Sequence, residues 1–182
     1  MTIVNSARQM FETPLLAIAD GASPNISFSY GAHSPRRVRE ACTVMFLLGF
    51  AYSLLLWVFI LWKPAVIIRI FSSDPEILSA GSRCFRLYFA AFVFMTFQFG
   101  GQSIFKALGK KRHAVFFSIF RKVLIVVPFT YLLPYVFRLG TDGVFLAEPI
   151  SNVIGGLACF ITMLCIVRPE LRHMETATQA GV

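Results

Sequence analysis

The sequence predicts an all-α integral membrane protein with about five transmembrane helices, and three observations carry that prediction. Residues 42–62 form an uncharged apolar run of the length an α-helix needs to cross the roughly 30 Å hydrocarbon core of a bilayer. Uncharged runs recur at 87–105, 123–137 and 149–167, each set off by charged or turn-forming residues. Hydrophobic residues make up 57% of the 182-residue chain and charged residues 14%, an excess that would aggregate on the surface of a water-soluble domain of this size.

The elements follow in order. Residues 1–22 read as a partial or amphipathic transmembrane helix: Ile3, Val4, Ala7, Met10, Phe11, Leu15 and Ile18 have helical spacing, with Asn5, Arg8, Gln9 and Glu12 on the other faces. Met1 to Arg8 lack the pattern of a cleavable secretory signal. Asp20-Gly21 and Ser23-Pro24 are expected to end the helix, making 23–41 a loop that carries Arg36, Arg37 and Arg39. Residues 42–171 form a four-helix membrane region. Within it Lys63-Pro64 stops one helix, a short apolar piece follows along the interface, and Ser73, Pro75 and Glu76 form a capping box for the next. Gly109 reads as a helix C-cap, and Pro128 and Pro134 should kink the span that holds them. The last span is expected to finish at Arg168-Pro169, leaving 172–182 as a polar tail, disordered beyond Glu175.

The formal net charge of +8 sits in short clusters beside apolar spans, which bilayer orientation explains without a nucleic-acid partner. The densest cluster, Lys106, Lys110, Lys111 and Arg112, belongs in the cytoplasm by the positive-inside rule. Alternation of the loops then puts residues 23–41 and the carboxy terminus there too, giving a multi-pass protein of the inner (plasma) membrane. No Ser/His/Asp, Cys/His or metal-ligand grouping suggests an enzyme: His33, His113 and His173 fall in loops or the tail. Cys42, Cys84, Cys159 and Cys165 lack zinc-site spacing. No cofactor or metal is implied.

Several polar residues within the apolar framework are candidate sites. Glu148 is the only carboxylate in the four strongly apolar spans, and the cost of a buried acid raises proton or cation binding as its role; pairing with Arg138 near the outer interface is the structural alternative. Arg8 and Glu12 stand one turn apart and either pair to hold helices together or face a pathway. Gln98 and Gln102 share a helical face, to line a pathway or to bond across helices. Arg121 and Lys122 are expected to snorkel to cytoplasmic lipid phosphates. The ring cluster Phe89, Phe92, Phe94, Phe97 and Phe99 suits either stacking on flat cations or lipid contact.

DGASPNISFSYGA at 20–32, the RRVREA that follows, FSSDPEIL at 71–78, FKALGKKR at 105–112 and GTDGVFLAEPIS at 140–151 occur in this order and spacing. Together they resemble the carboxy-terminal portion of the multidrug and toxic compound extrusion, or MATE, family. The resemblance implies the eighth to twelfth of twelve helices, a partial carboxy-terminal lobe, in a cation-coupled antiporter that exports organic cations in exchange for protons or sodium ions. On that template Glu12 borders the central cavity and attracts a cationic substrate, with Arg8 holding it until substrate competes. The sodium-coupled branch carries an acid on the tenth helix, and this chain has none between Leu87 and Phe105; the key acid of the proton-coupled branch belongs to the absent amino-terminal lobe. Less than half a transporter is present, so the chain is expected to be inactive until the missing helices are supplied in cis or trans. The alternatives are a non-transporting membrane scaffold or partner subunit, and a lipid-linked saccharide flippase of the wider superfamily.

Overall fold

The computed structural model describes residues 2–71, 82, 85–128, 130 and 140–179. Six α-helices make up the described bundle: α1 (Thr2–Gly31), α2 (Pro35–Trp62), α3 (Pro64–Phe71), α4 (Met95–Ala107), α5 (Lys111–Ile119) and α6 (Gly140–Gln179). A 3-10 turn, Phe92–Phe94, leads into α4, and a π-helical stretch, Phe120–Val126, continues α5. The capping box at 73–76, Cys84 and Pro134 lie outside the described residues.

Helix α1 does not end at Asp20-Gly21 or Ser23-Pro24; it passes both and runs to Gly31. Its real stop is a Schellman cap, in which Ser34 N–H donates to the Ser29 carbonyl (3.0 Å) and His33 N–H to that of Tyr30 (3.1 Å). His33 occupies the left-handed position of that cap, with φ of 49°. Pro35 then opens α2, where its missing N–H is no loss and its fixed φ suits a first turn. The expected loop at 23–41 is therefore mostly helix, with only 32–34 connecting. The same cap recurs after α4: Lys110 N–H donates to the Phe105 carbonyl (2.8 Å), with Gly109 at φ of 74°, the role its position in the sequence predicts.

Two further expectations need correction. The run 87–105 is not one continuous helix; the chain turns at 89–91 and makes a 3-10 turn before α4 begins. Trp57 of α2 donates its indole N–H to the Ala90 carbonyl (2.8 Å), satisfying a backbone group that the break frees. The last helix does not stop at Arg168-Pro169, and the residues beyond Glu175 are not disordered at once: α6 contains both Pro149 and Pro169 and continues to Gln179. The irregularity expected from Pro128 is present as the π-helical stretch before it, where Val127 N–H reaches back to the Lys122 carbonyl. The wider turn relieves the clash a proline ring makes with the carbonyl four residues earlier.

The outer faces carry the apolar side chains that a lipid solvent favours. The segments Pro35–Trp62 and Leu146–Thr176 are each long and apolar enough to cross a bilayer. On α2, Leu47, Leu55 and Trp62 are 64%, 73% and 76% exposed, which suits hydrocarbon and not water. Inside the bundle one core layer joins Val4, Ala7, Phe11 and Leu15 of α1 to Ile60, Ile67, Phe89 and Met95. The second joins Ile26, Val38, Ile104, Phe105, Met163 and Leu171. Met10, read as part of the apolar face of α1, instead points outward.

Small residues set the helix spacing around α4. A Cβ built on Gly156 of α6 would lie 2.5 Å from the Phe94 carbonyl oxygen, and one on Gly100 would lie 2.5 Å from the Phe46 ring. Gly156→Ala is therefore expected to destabilise the bundle by about 1–3 kcal/mol, because a backbone carbonyl cannot step aside. Gly21→Ala, where nothing lies within 4 Å, should be neutral or stabilising by up to about 1 kcal/mol. Chemical unfolding in micelles followed by circular dichroism checks the pair. In the same assay His33→Gly should raise stability by up to about 1 kcal/mol, since glycine relieves the left-handed backbone.

Candidate functional site

The site is built where α1, α6 and the segment before α4 converge. Arg8 and Glu12 stand one helical turn apart on α1, and the Arg8 Nε–H donates to Glu12 Oε1. The same guanidinium reaches across the bundle: Nη2 lies 2.9 Å from Glu148 Oε1 on α6, and Nη1 donates to the Tyr88 hydroxyl at 2.8 Å. Its plane also sits 6.0 Å from the centre of the Tyr88 ring. Three residues singled out by the sequence, Arg8, Glu12 and Glu148, thus form one cluster. Arg138, the alternative partner considered for Glu148, lies outside the described residues.

Glu148 is the most enclosed of the three, 8% exposed, because it sits on the inward stripe of α6 that continues through Asn152, Cys159, Met163 and Val167. Four- and seven-residue spacing puts these side chains on one helical face. Arg8 and Glu12 occupy the edge of the buried stripe of α1, each about one-quarter exposed. One guanidinium faces two carboxylates, so with all three ionised the cluster carries a net charge of −1. That balance attracts a cation or a proton, and the forked guanidinium can hold either acid while the other is engaged.

The depth of the cluster follows from helix register. Tyr52 of α2 donates its hydroxyl to the Phe11 carbonyl (3.2 Å), and Arg8 lies three residues from Phe11 toward the Trp62 end. At 1.5 Å per residue the guanidinium is roughly 10 Å inside the end of the apolar run of α2. A second polar layer closes the opposite end. There Tyr30 donates to Glu170 Oε1 (2.7 Å), Lys110 Nζ pairs with Glu170 Oε2 (2.9 Å) and Arg39 pairs with Glu175 (3.0 Å). Lys106 also meets Asp20 at 3.3 Å on a more exposed face.

The remaining candidates are not drawn into the Arg8 cluster. Gln98 is buried on α4, where its backbone carbonyl faces Cys159 Sγ at 3.8 Å; Cys159 is eleven residues, about 16 Å, along α6 from Glu148. Gln102 follows one turn later, half-buried. Lys122 is exposed on the π-helical stretch, as snorkelling requires; the Arg121 side chain lies outside the described residues. Of the ring cluster, Phe89 and Phe92 are buried core and Phe97 packs on Phe46 and Phe160. Among the described residues no three His, Cys, Asp or Glu side chains converge as metal ligands.

Sequence reasoning missed Tyr88, which lies in an aromatic run with nothing to distinguish it from its neighbours. It also missed the buried Ser151 and Asn152. Their spacing of three and four residues from Glu148 was a usable signal, since it puts all three on one side of α6.

Residues 1–132 match the MatE family. The chain is 23% identical over 155 residues to a FAD transporter of Shewanella oneidensis, with 85% of this chain and 34% of that protein covered. It superposes with a TM-score of 0.85 on a MATE crystal structure in the bent conformation, at 18% identity over 98% of this chain and 38% of the other. A multidrug resistance MATE family transporter of the MOP superfamily in its inward-facing conformation gives a TM-score of 0.83, at 18% identity over 95% and 39%. The chain thus spans between one-third and two-fifths of the length of these relatives. With the family matched over most of its length and the helical bundle reproduced, this chain belongs to the MatE family of membrane transporters, as a partial bundle and not an enzyme.

Proposed function

We propose that the chain supplies part of the carboxy-terminal lobe, the eighth to twelfth helices, of a cation-coupled antiporter that exports organic cations. The observation that carries this reading is the sharing of Arg8 between Glu12 and Glu148 at one end of the bundle. A proton or cation that binds either carboxylate displaces the guanidinium from that acid only, and Arg8 keeps the other acid and Tyr88. The exchange leaves no charge unpaired in a medium where an unpaired charge is expensive. A substrate cation and a coupling ion, H+ or Na+, then compete for one site, as exchange requires. Gln98 and Gln102 lie deeper, on the pathway between the two polar layers, while Arg121 and Lys122 hold the lipid surface. The basic end of the bundle, with Arg36, Arg37, Lys110, Lys111 and Arg112, faces the cytoplasm of the plasma membrane.

The chain spans under two-fifths of its solved relatives, so transport needs the remaining helices, in cis or in trans. The relative named for FAD transport favours a second reading, export of a dinucleotide. FAD is anionic, whereas the Arg8 cluster has acid in excess, and that difference separates the two readings.

A carboxy-terminal tag on the chromosomal copy tests completeness: a band more than twice the 20.4 kDa of this chain places it in a full transporter. A band near 20.4 kDa requires a partner to co-purify. Right-side-out membrane vesicles carrying the tagged protein and loaded with ethidium should expel the dye when an inward H+ or Na+ gradient is imposed, and Glu148→Gln should reduce that rate at least about tenfold, the loss of roughly 1.4 kcal/mol, at unchanged membrane abundance. FAD export that survives Glu148→Gln, without dye efflux in the native protein, would overturn the cation reading. Arg8→Leu removes the cation shared by the part-buried Glu12 and the buried Glu148 and is expected to destabilise the bundle by about 3–5 kcal/mol, whereas Tyr88→Phe, losing one bond to a charged group, should cost about 1.5–3 kcal/mol. Unfolding titrations in micelles rank them.

A further inference from the structure

A groove of about 510 Å³ runs down the outside of the bundle between α2 and α6, with α4 as its floor. Helix α2 contributes Arg39, Thr43, Phe46 and Phe50, which share one helical face. Antiparallel to it, α6 contributes Phe160, Leu164 and Arg168. Both arginines therefore fall at the same mouth, and everything beyond them is apolar apart from small groups such as Thr43 and Thr96.

A triad of rings lines the deep part of the groove. Phe160 packs on Phe46 at a centroid separation of 5.3 Å and on Phe97 at 4.8 Å, and Phe46 and Phe97 are 6.4 Å apart. From Arg39 to Phe50 is eleven residues, roughly 16 Å, which is half the roughly 30 Å hydrocarbon core. The groove thus has the depth of one leaflet, an opening at headgroup level and cations at that opening.

We propose that this groove binds an anionic phospholipid, with the phosphate between Arg39 and Arg168 and one acyl chain laid along α2 and α6 toward the Phe46–Phe97–Phe160 triad. The charge at the mouth is unequal. Arg39 is held by Glu175 (3.0 Å), so it offers the phosphate its remaining donors. Glu170, the carboxylate nearest Arg168 in sequence, is occupied by Lys110 and Tyr30, which leaves Arg168 exposed and available. A neutral acyl ligand would fill the groove but leave that cation without a counter-charge, and a free phosphate would satisfy the arginines but leave the apolar length in contact with bulk lipid. An anionic phospholipid satisfies both.

Native mass spectrometry of the tagged protein released from nanodiscs of equal phosphatidylglycerol and phosphatidylcholine tests the assignment. One basic residue at a membrane surface is worth about a fivefold preference for an anionic lipid, so retained phosphatidylglycerol should exceed phosphatidylcholine by about fivefold to twentyfold. Arg168→Gln should bring the ratio down about fivefold and Arg39→Gln by less, while Arg112→Gln, away from the groove, should leave it unchanged. Leu164→Trp fills the groove and keeps both arginines, so it should lower retention of both lipids with helicity unaltered. Equal retention of the two lipids by the native protein, a preference indifferent to Arg168→Gln, or retention unaffected by Leu164→Trp would each overturn the proposal. So would inorganic phosphate surviving in place of lipid, or a dimer released with neither, which would identify a free ion or a second copy as the occupant.

Discussion

Hydrocarbon offers no hydrogen-bond partner, so the polar groups of this bundle depend on partners within protein. The consequence is visible at the helix contacts. Ser103 of α4 donates to the Ala19 carbonyl of α1 (2.6 Å), and Ser27 of α1 returns a bond to the Ala107 carbonyl of α4 (2.9 Å). Thr96 bonds to Ser53 (2.9 Å) and to the Gly49 carbonyl (3.3 Å) of α2. These side chains are short, so each bond forms only where two backbones approach closely, and the small residues of the sequence permit that approach. Polar satisfaction and tight packing are here one constraint, and the helix spacing follows from it.

The same constraint explains the distribution of charge. Among the described residues ion pairs gather toward the two ends of the bundle, and the stretch between them is mostly aliphatic and aromatic, with uncharged polar groups such as Thr96, Gln98 and Ser103. At the end near Gly31 the pairs are numerous and partly wet, and pairs of that kind contribute little individually. The Arg8 cluster differs in being enclosed and in joining three segments with one guanidinium. A single enclosed cation with two acids is a poor device for stability alone, since packed apolar residues would do as well. On the function proposed above, what it provides is a choice of partner.

Legibility in the sequence divided along physical lines. The apolar runs, the C-cap at Gly109 and the irregularity before Pro128 were readable because each depends on local composition or on a residue with restricted backbone freedom. The pairing of Arg8 with Glu148 was not readable, although both residues were, because it joins positions 140 residues apart. The persistence of α1 through Ser23-Pro24 and of α6 through Pro149 and Pro169 ran against the local signal. In an apolar environment a helix keeps its remaining backbone bonds even at the expense of a proline defect, because the alternative is bare carbonyls facing hydrocarbon. The turn at 89–91 is the converse case. No glycine or proline marks it, and it exists because Trp57 stands ready to take the Ala90 carbonyl, a partner that no local window contains.

Rigidity and freedom are separated within the bundle. Around α4 the contacts at Gly100, Gly101 and Gly156 place side chain or backbone of a neighbour where a single added carbon would collide. Sliding α4 against α2 or α6 would drive those atoms together, so that group of helices has a narrow range of arrangements. The Arg8 cluster is joined differently. Its contacts to Glu148 and Tyr88 run through long side chains, and a guanidinium with five donors can trade one acceptor for another by rotating its own torsions. Charge at this end of the bundle can therefore be redistributed while the glycine-packed helices stay in place.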